Sequence, residues 1–286
     1  MWFSLSLLTA VLVSCSDVLR KKATLKADIY VIVFSWSFFA LIFFLLLVKV
    51  EPFPVIGPHF WPALIASITV NITTYLLYVK ALKNGDLSLT MPMLAFTPLL
   101  LLITSPIIVG EFPGPLGLVG IFLIVAGSYF LNIKERSKGY IEPFRAMLRH
   151  KGSRLMLTVA IIFSIGANVD KVGILNSSPI YWLIFVTGPC TVFFFFLMIK
   201  KSPRWLTQIN TNIWFLLIMG ICDGVAGLAQ TYAVKLAMVP YVIAIKRTSV
   251  VWTSLGGFIL FKEKGMRERM WAIVIMIMGV LLIGLT

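Results

Sequence analysis

Apolar residues in this sequence gather into runs about as long as a bilayer is thick, and such runs have few structural options. An α-helix rises about 1.5 Å per residue, so ~20 residues cross the ~30 Å hydrocarbon core. Inside lipid every backbone N–H and C=O must find its partner within the segment, which makes each run a helix. Ten runs of this kind are present, at 2–19, 29–48, 60–80, 87–109, 115–133, 154–174, 179–199, 212–234, 239–261 and 268–286. Short links rich in Pro, Gly or basic residues separate them, and the one longer link runs from Lys134 to Ser153. Of the 286 residues 59% are hydrophobic and 13% charged, against roughly 25% charged in soluble domains. The expected fold class is an all-α polytopic membrane protein with ten transmembrane helices.

The net charge of +14 would suit a nucleic-acid binder. Here, however, the cations lie between apolar runs and not on one soluble face, so anionic lipid is the cheaper partner and no nucleic acid is expected. Cys15, Cys190 and Cys222 all fall inside apolar runs, with neither disulfide nor metal-ligand spacing. Leu12-Val13-Ser14-Cys15 has the look of a lipoprotein cleavage box, but no basic residue precedes the run and Arg20-Lys21-Lys22 follow it. A signal peptide needs its positive charge first, so a retained first helix is expected. His59 and His150 lie in links and read as surface residues. No zinc, phosphate-loop or nucleophile-elbow pattern occurs, so neither enzyme chemistry nor a cofactor is expected.

The two halves of the chain match. Shifting by 152 residues places Leu64 on Leu216, Leu76 on Leu228, Ala81 on Ala233, Lys83 on Lys235, Glu111 on Glu263, Ile121 on Ile273 and Gly127 on Gly279. The same shift lays Asn71 on Asp223. Five helices per unit is an odd number, so the second unit enters the membrane upside down. Inverted repeats of this kind typify secondary transporters, whose solute site lies between repeats near the midplane. The expected organisation is a five-helix repeat over 1–133, a basic cytoplasmic linker over 134–153 and a second repeat over 154–286. About twenty Lys and Arg fall in the odd-numbered links and about two in the even-numbered ones, Lys49 and Lys235. The positive-inside rule puts the basic side in the cytoplasm and both termini outside, with the inner (plasma) membrane of a bacterium as the expected location.

Against this background Lys246-Arg247, inside the ninth run, stands out. A lipid-facing charge at that depth costs at least ~2.5–3.5 kcal/mol, so the pair must face other helices or a wet cavity. Arg offers a planar fork and Lys a point charge to a carboxylate or phosphate, and the alternative role is an internal ion pair with Asp223 or Asp170. Helix three carries Asn71, Tyr75 and Tyr78 on one face, and their repeat positions in helix eight are Asp223, Gly227 and Gln230. Such polar twins fit two walls of one cavity, or buried groups joining helices. In helix six Ser164, Asn168 and Lys171 share a face with Asp170 beside them. Helix one offers Ser16, Asp17 and Arg20, again polar and near a helix end, where Asp17 can snorkel. Glu111 and Glu263 close helices, where each carboxylate can meet the positive amino end of the next helix. Phe193 to Phe196 and Trp252 read as packing against lipid or neighbouring helices.

Tyr78-Val79-Lys80-Ala81-Leu82, Pro92, Pro98, Gly110-Glu111, Gly117, Gly120 and Gly127 in the first half resemble proteins with two EamA-like domains in the drug/metabolite transporter superfamily. In the second half the resemblance rests on Asn168-Val169-Asp170-Lys171, Ala233, Lys246-Arg247-Thr248-Ser249, Gly256-Gly257, Lys262-Glu263 and Gly279. It implies two inverted five-helix repeats, a central cavity, and export or exchange of small solutes. It also implies cytoplasmic termini, opposite to the charge count. Lys246-Arg247 is similar, further, to the phosphate-binding pair in the ninth helix of plastid sugar-phosphate translocators. The expected function is secondary transport of a small polar metabolite, anionic if the cations meet it directly, by alternating access around a midplane cavity. Its substrate-binding candidates are Lys246, Arg247, Asp223, Asn71, Tyr75, Tyr78, Gln230, Asp170, Lys171 and Asn168. A coupling proton or counter-substrate is the open second partner beside the solute and the bilayer. The competing readings are an exporter or flippase of amphipathic, lipid-like compounds and a non-transporting receptor or scaffold.

Overall fold

A computed structural model describes residues 1–85, 90–131, 149–252 and 266–286. Most of the Lys134–Ser153 link, together with Gly256-Gly257, Lys262 and Glu263, lies outside the described residues. Within them the chain is helical, without strands. Helices within the described residues include α1 (Trp2–Ala23), α2 (Ile29–Leu46), α3 (Phe60–Lys83), α4 (Thr97–Ile108), α5 (Pro115–Leu131), α6 (Lys151–Leu175), α7 (Pro179–Lys201), α8 (Trp205–Leu236), α9 (Val239–Lys246) and α10 (Met266–Gly284). Six of them, α1, α2, α3, α6, α7 and α8, are long and apolar enough to cross a bilayer alone.

The packing repeats as the sequence does. Helix α1 lies against α8 and α3 against α6, and these two contacts are copies of each other under the 152-residue shift. Helix α5 packs on α10, and α2 on α7, each against its own counterpart in the other repeat. At the α5–α10 crossing a Cβ on Gly120 would stand 2.7 Å from the Gly279 carbonyl oxygen, and one on Gly127 would stand 2.8 Å from that of Ala272. Since 120 corresponds to 272 and 127 to 279, the crossing is one contact made twice. Small residues let the two backbones touch, which replaces the missing hydrophobic drive between helices in lipid.

The fourth and ninth runs, expected as single helices, are both broken. A 3-10 turn over Met91–Phe96 precedes α4. Pro98, lacking an N–H, cannot bond back to the Leu94 carbonyl, and the Thr97 hydroxyl donates to that oxygen instead, at 2.7 Å. Helix α9 stops at Lys246, and Arg247-Thr248 form a turn in which the Thr248 hydroxyl donates to the Ile245 carbonyl at 2.7 Å. The breaks fall at corresponding positions of the two repeats. Irregular backbone at membrane depth is tolerated where it is buried in protein or lines a cavity.

Two further helix boundaries differ from expectation. The first run does not end at Leu19: α1 continues to Ala23 and carries Arg20, only 2% exposed, into the interior. Helix α8 begins well before its span, at Trp205, and bends at Asn212, whose φ of −117° leaves the helical range.

Candidate functional site

Between the repeats lies a cavity of about 160 Å³. At ~10–15 Å³ per water position this holds on the order of ten water molecules, or one small metabolite. Helix α3 supplies Asn71 and Tyr75, α6 supplies Asp170, α8 supplies Asp223 and Gln230, and the broken end of α9 supplies Lys246 and Arg247. Aromatic walls come from Trp36, Phe163 and Trp182. Most of the α6, α7 and α8 lining residues lie towards the links after α6 and α8, so the cavity occupies the half of the protein nearer the chain termini.

The cation pair meets neutral partners. The Lys246 ammonium donates to Gln230 Oε1 at 2.5 Å, and the Arg247 guanidinium donates to the Thr97 hydroxyl at 3.0 Å. Its carbon stands 5.7 Å from the Phe163 ring centroid. Arg247 is 4% exposed, and its Nε has no hydrogen-bond partner. Among the described residues neither head forms an ion pair. Both carboxylates expected as internal partners are taken elsewhere, which corrects that reading. Asp170 accepts the Ser67 hydroxyl at 2.5 Å and the Trp182 indole N–H at 3.2 Å. Asp223 accepts the Ser16 hydroxyl and the Arg20 guanidinium, each at 2.5 Å.

Beneath the cavity, towards the basic links, Arg20 forms the hub of a second cluster. It pairs with Asp17 as well as Asp223, and Asp17 also accepts the Tyr78 hydroxyl at 2.7 Å. The guanidinium carbon lies 3.9 Å from the centre of the Trp36 ring. Trp36 stacks on Tyr75 at 4.0 Å with planes 6° apart, and Tyr75 faces Phe194 at 6.0 Å. A cation and three aromatic rings thus form one column joining α1, α2, α3 and α7 under the solute space. Desolvated cation–π contact of this kind contributes roughly 2 kcal/mol.

Three of the expected binding residues lie outside the cavity lining. Tyr78 belongs to the Arg20 cluster. Asn168 joins α6 to α4, accepting the Ser105 hydroxyl at 2.7 Å and donating to Thr104 at 3.0 Å. The Lys171 ammonium pairs with Glu111 and donates to the Ala237 carbonyl at 2.8 Å. Glu111 also accepts the backbone N–H of Val239 at 2.9 Å, so it caps the amino end of α9 and not that of the following helix α5. The Glu111–Lys171 bracket therefore fixes where the broken ninth helix begins. Nothing in the sequence marks Trp36, Phe163 and Trp182, because an aromatic in an apolar run carries no sign of which way it faces. Arg20 is marked in the sequence as one of three polar residues at the end of helix one, but its place three residues after Asp17, one helical turn, does not show that it joins Asp223.

The EamA-like transporter family matches residues 1–133 and 150–285. Among curated proteins none matches the chain. A solved crystal structure described only as a protein superposes with a TM-score of 0.71 at 15% identity, over 99% of this chain and 96% of the other. That likeness carries the fold, and the family match carries the class: ten helices in two repeats, membrane-embedded, of a kind that moves small molecules. With both matched regions in place, the chain is a member of the EamA-like transporter family.

Proposed function

We propose that the protein is a secondary transporter of a small polar metabolite bearing an anionic group, which it carries by alternating access around the cavity at Lys246 and Arg247. The single observation supporting this is the pair itself: two adjacent cations at the cavity wall, without a carboxylate on either, one of them with an unpartnered buried Nε. A carboxylate or phosphate would supply the missing acceptors through charge-assisted hydrogen bonds. Asp170 and Asp223 line the same cavity, so a solute with one anionic group suits it better than one with several. The Arg20 cluster closes the opposite half, and alternation requires that it open when the terminal half closes. By the distribution of Lys and Arg, the basic links are cytoplasmic and the termini are outside, in a plasma membrane.

The test is a thermal-shift screen of the purified protein against phosphorylated, carboxylated and cationic metabolites, followed by flux of the best binder in proteoliposomes. The expected result is stabilisation by an anionic or singly carboxylated solute and its exchange across the vesicle. Arg247→Ala should weaken that binding by about 2–3 kcal/mol, roughly 30- to 150-fold, while the protein stays folded. Stabilisation by cationic compounds alone, unaffected in Arg247→Ala, would overturn the reading.

A further inference from the structure

We infer that a second, solvent-facing groove on the side of the basic links is a headgroup site for an anionic phospholipid. The groove encloses about 600 Å³ between the link that follows α1, the carboxyl end of α3 and the first turns of α8. Lys26, Lys83 and Arg204 line it, one from each of these elements, and all three are exposed. No carboxylate among the described residues pairs with any of them. The one acid in the lining, Asp28, is held by the Gln208 side chain: its carboxylate accepts from Gln208 Nε2 at 2.9 Å, and its backbone N–H donates to Gln208 Oε1 at 2.7 Å. The groove thus keeps an excess of positive charge around a fixed rim.

Its depth in the membrane points to lipid as the source of the anion. The turns Trp205 to Thr211 precede the bend at Asn212 and the apolar run that begins there, the level expected for phosphate headgroups. Trp214, 73% exposed, follows the bend as an interfacial aromatic. Leu25, 78% exposed, lines the groove beside the three cations. Free phosphate gains nothing from that leucine, whereas the glycerol and first methylenes of a lipid do. Basic pockets of this kind between membrane helices recognise anionic headgroups through charge that falls off within a Debye length. Because Lys26 and Lys83 belong to the first five helices and Arg204 to the second five, a bound lipid would bridge the halves that alternate.

The experiment measures the unfolding temperature of the full chain in neutral detergent with added phosphatidylglycerol, phosphatidylcholine or inorganic phosphate. Phosphatidylglycerol is expected to raise it saturably, and the other two to leave it unchanged. The triple variant Lys26→Gln/Lys83→Gln/Arg204→Gln should need at least ~10-fold more phosphatidylglycerol for the same rise. Lys200→Gln/Lys201→Gln, on the same face but outside the groove, should respond as the unaltered chain does. An equal response in the triple variant, an equal loss in the double variant, or the same rise from inorganic phosphate would each overturn the assignment.

Discussion

Two buried guanidinium groups, Arg20 and Arg247, sit within one protein interior under opposite conditions. Arg20 has two carboxylates, a hydroxyl and an indole face around it, whereas Arg247 has one threonine hydroxyl and a distant ring. Removing one member of a desolvated ion network strands the others, at a cost of roughly 3–5 kcal/mol. Arg20→Met is therefore expected to lower stability by about that much, and adding Asp17→Asn and Asp223→Asn should restore most of it. Arg247→Met removes a cation that no acid touches among the described residues, so the ligand-free protein should unfold at a higher temperature while losing its solute response. This is the trade between stability and function expected at a binding site. Calorimetry or tryptophan-monitored unfolding in detergent reads both signs, and equal, same-direction shifts for the two variants would show that the guanidiniums do not differ in compensation. The sequence already marked Lys246-Arg247, because two cations in mid-run have few explanations. It could not show that Asp223 serves Arg20, since that pairing crosses 203 residues of chain and needs the tertiary fold.

At the scale of helices, what was legible was periodicity, and what was not was interruption. Runs and links gave the number of spans, and the 152-residue shift gave their pairing, because both survive as patterns in one dimension. The matched breaks near Leu94 and Arg247 did not show, since Pro98 explains only the first and the second contains neither Pro nor Gly. The end of α1 and the start of α8 are hidden from the sequence for the same reason: a helix boundary depends on what caps and compensates it in space, as with Asp17 and Asp223 around Arg20. The contact of α5 with α10 gives an element-level prediction. A Cβ at Gly120 would meet the Gly279 carbonyl oxygen and Ile283 Cγ1, each at 2.7 Å, and the first of these is backbone that cannot rotate away. Gly120→Val should separate the two helices and cost about 1–3 kcal/mol, the usual range for overpacking. Gly188→Ala, whose added Cβ would have nothing within 4 Å, should be silent. Folded yield and unfolding temperature of the two variants decide it, and a silent Gly120→Val would mean that close backbone approach does not hold α5 on α10.

For the whole molecule, the cavity and the charge distribution together determine which side a solute meets first. The cavity occupies the half nearer the termini, and the Arg20 cluster fills the half nearer the basic links. If the basic links are cytoplasmic, this conformation presents its solute space towards the outside and its closed end towards the cytoplasm. The family resemblance implies the reverse placement of the termini, so the two lines of reasoning make opposite forecasts. Counting favours the charges, since about twenty Lys and Arg lie on one face and about two on the other, and the bias in short links is what sets topology. Lys21 belongs to this count although its ammonium caps the end of α3, donating to the Leu82 and Gly85 carbonyls at 2.6 and 2.7 Å. A reporter fused after Thr286 should accordingly read non-cytoplasmic, and a cysteine placed at exposed Lys26 should be labelled only from the cytoplasmic side. Should the reporter read cytoplasmic and Lys26→Cys label from outside, the fold and the cavity would stand unchanged. The present conformation would then be open inwards, and the Arg20 cluster would be the outer barrier and not the inner one.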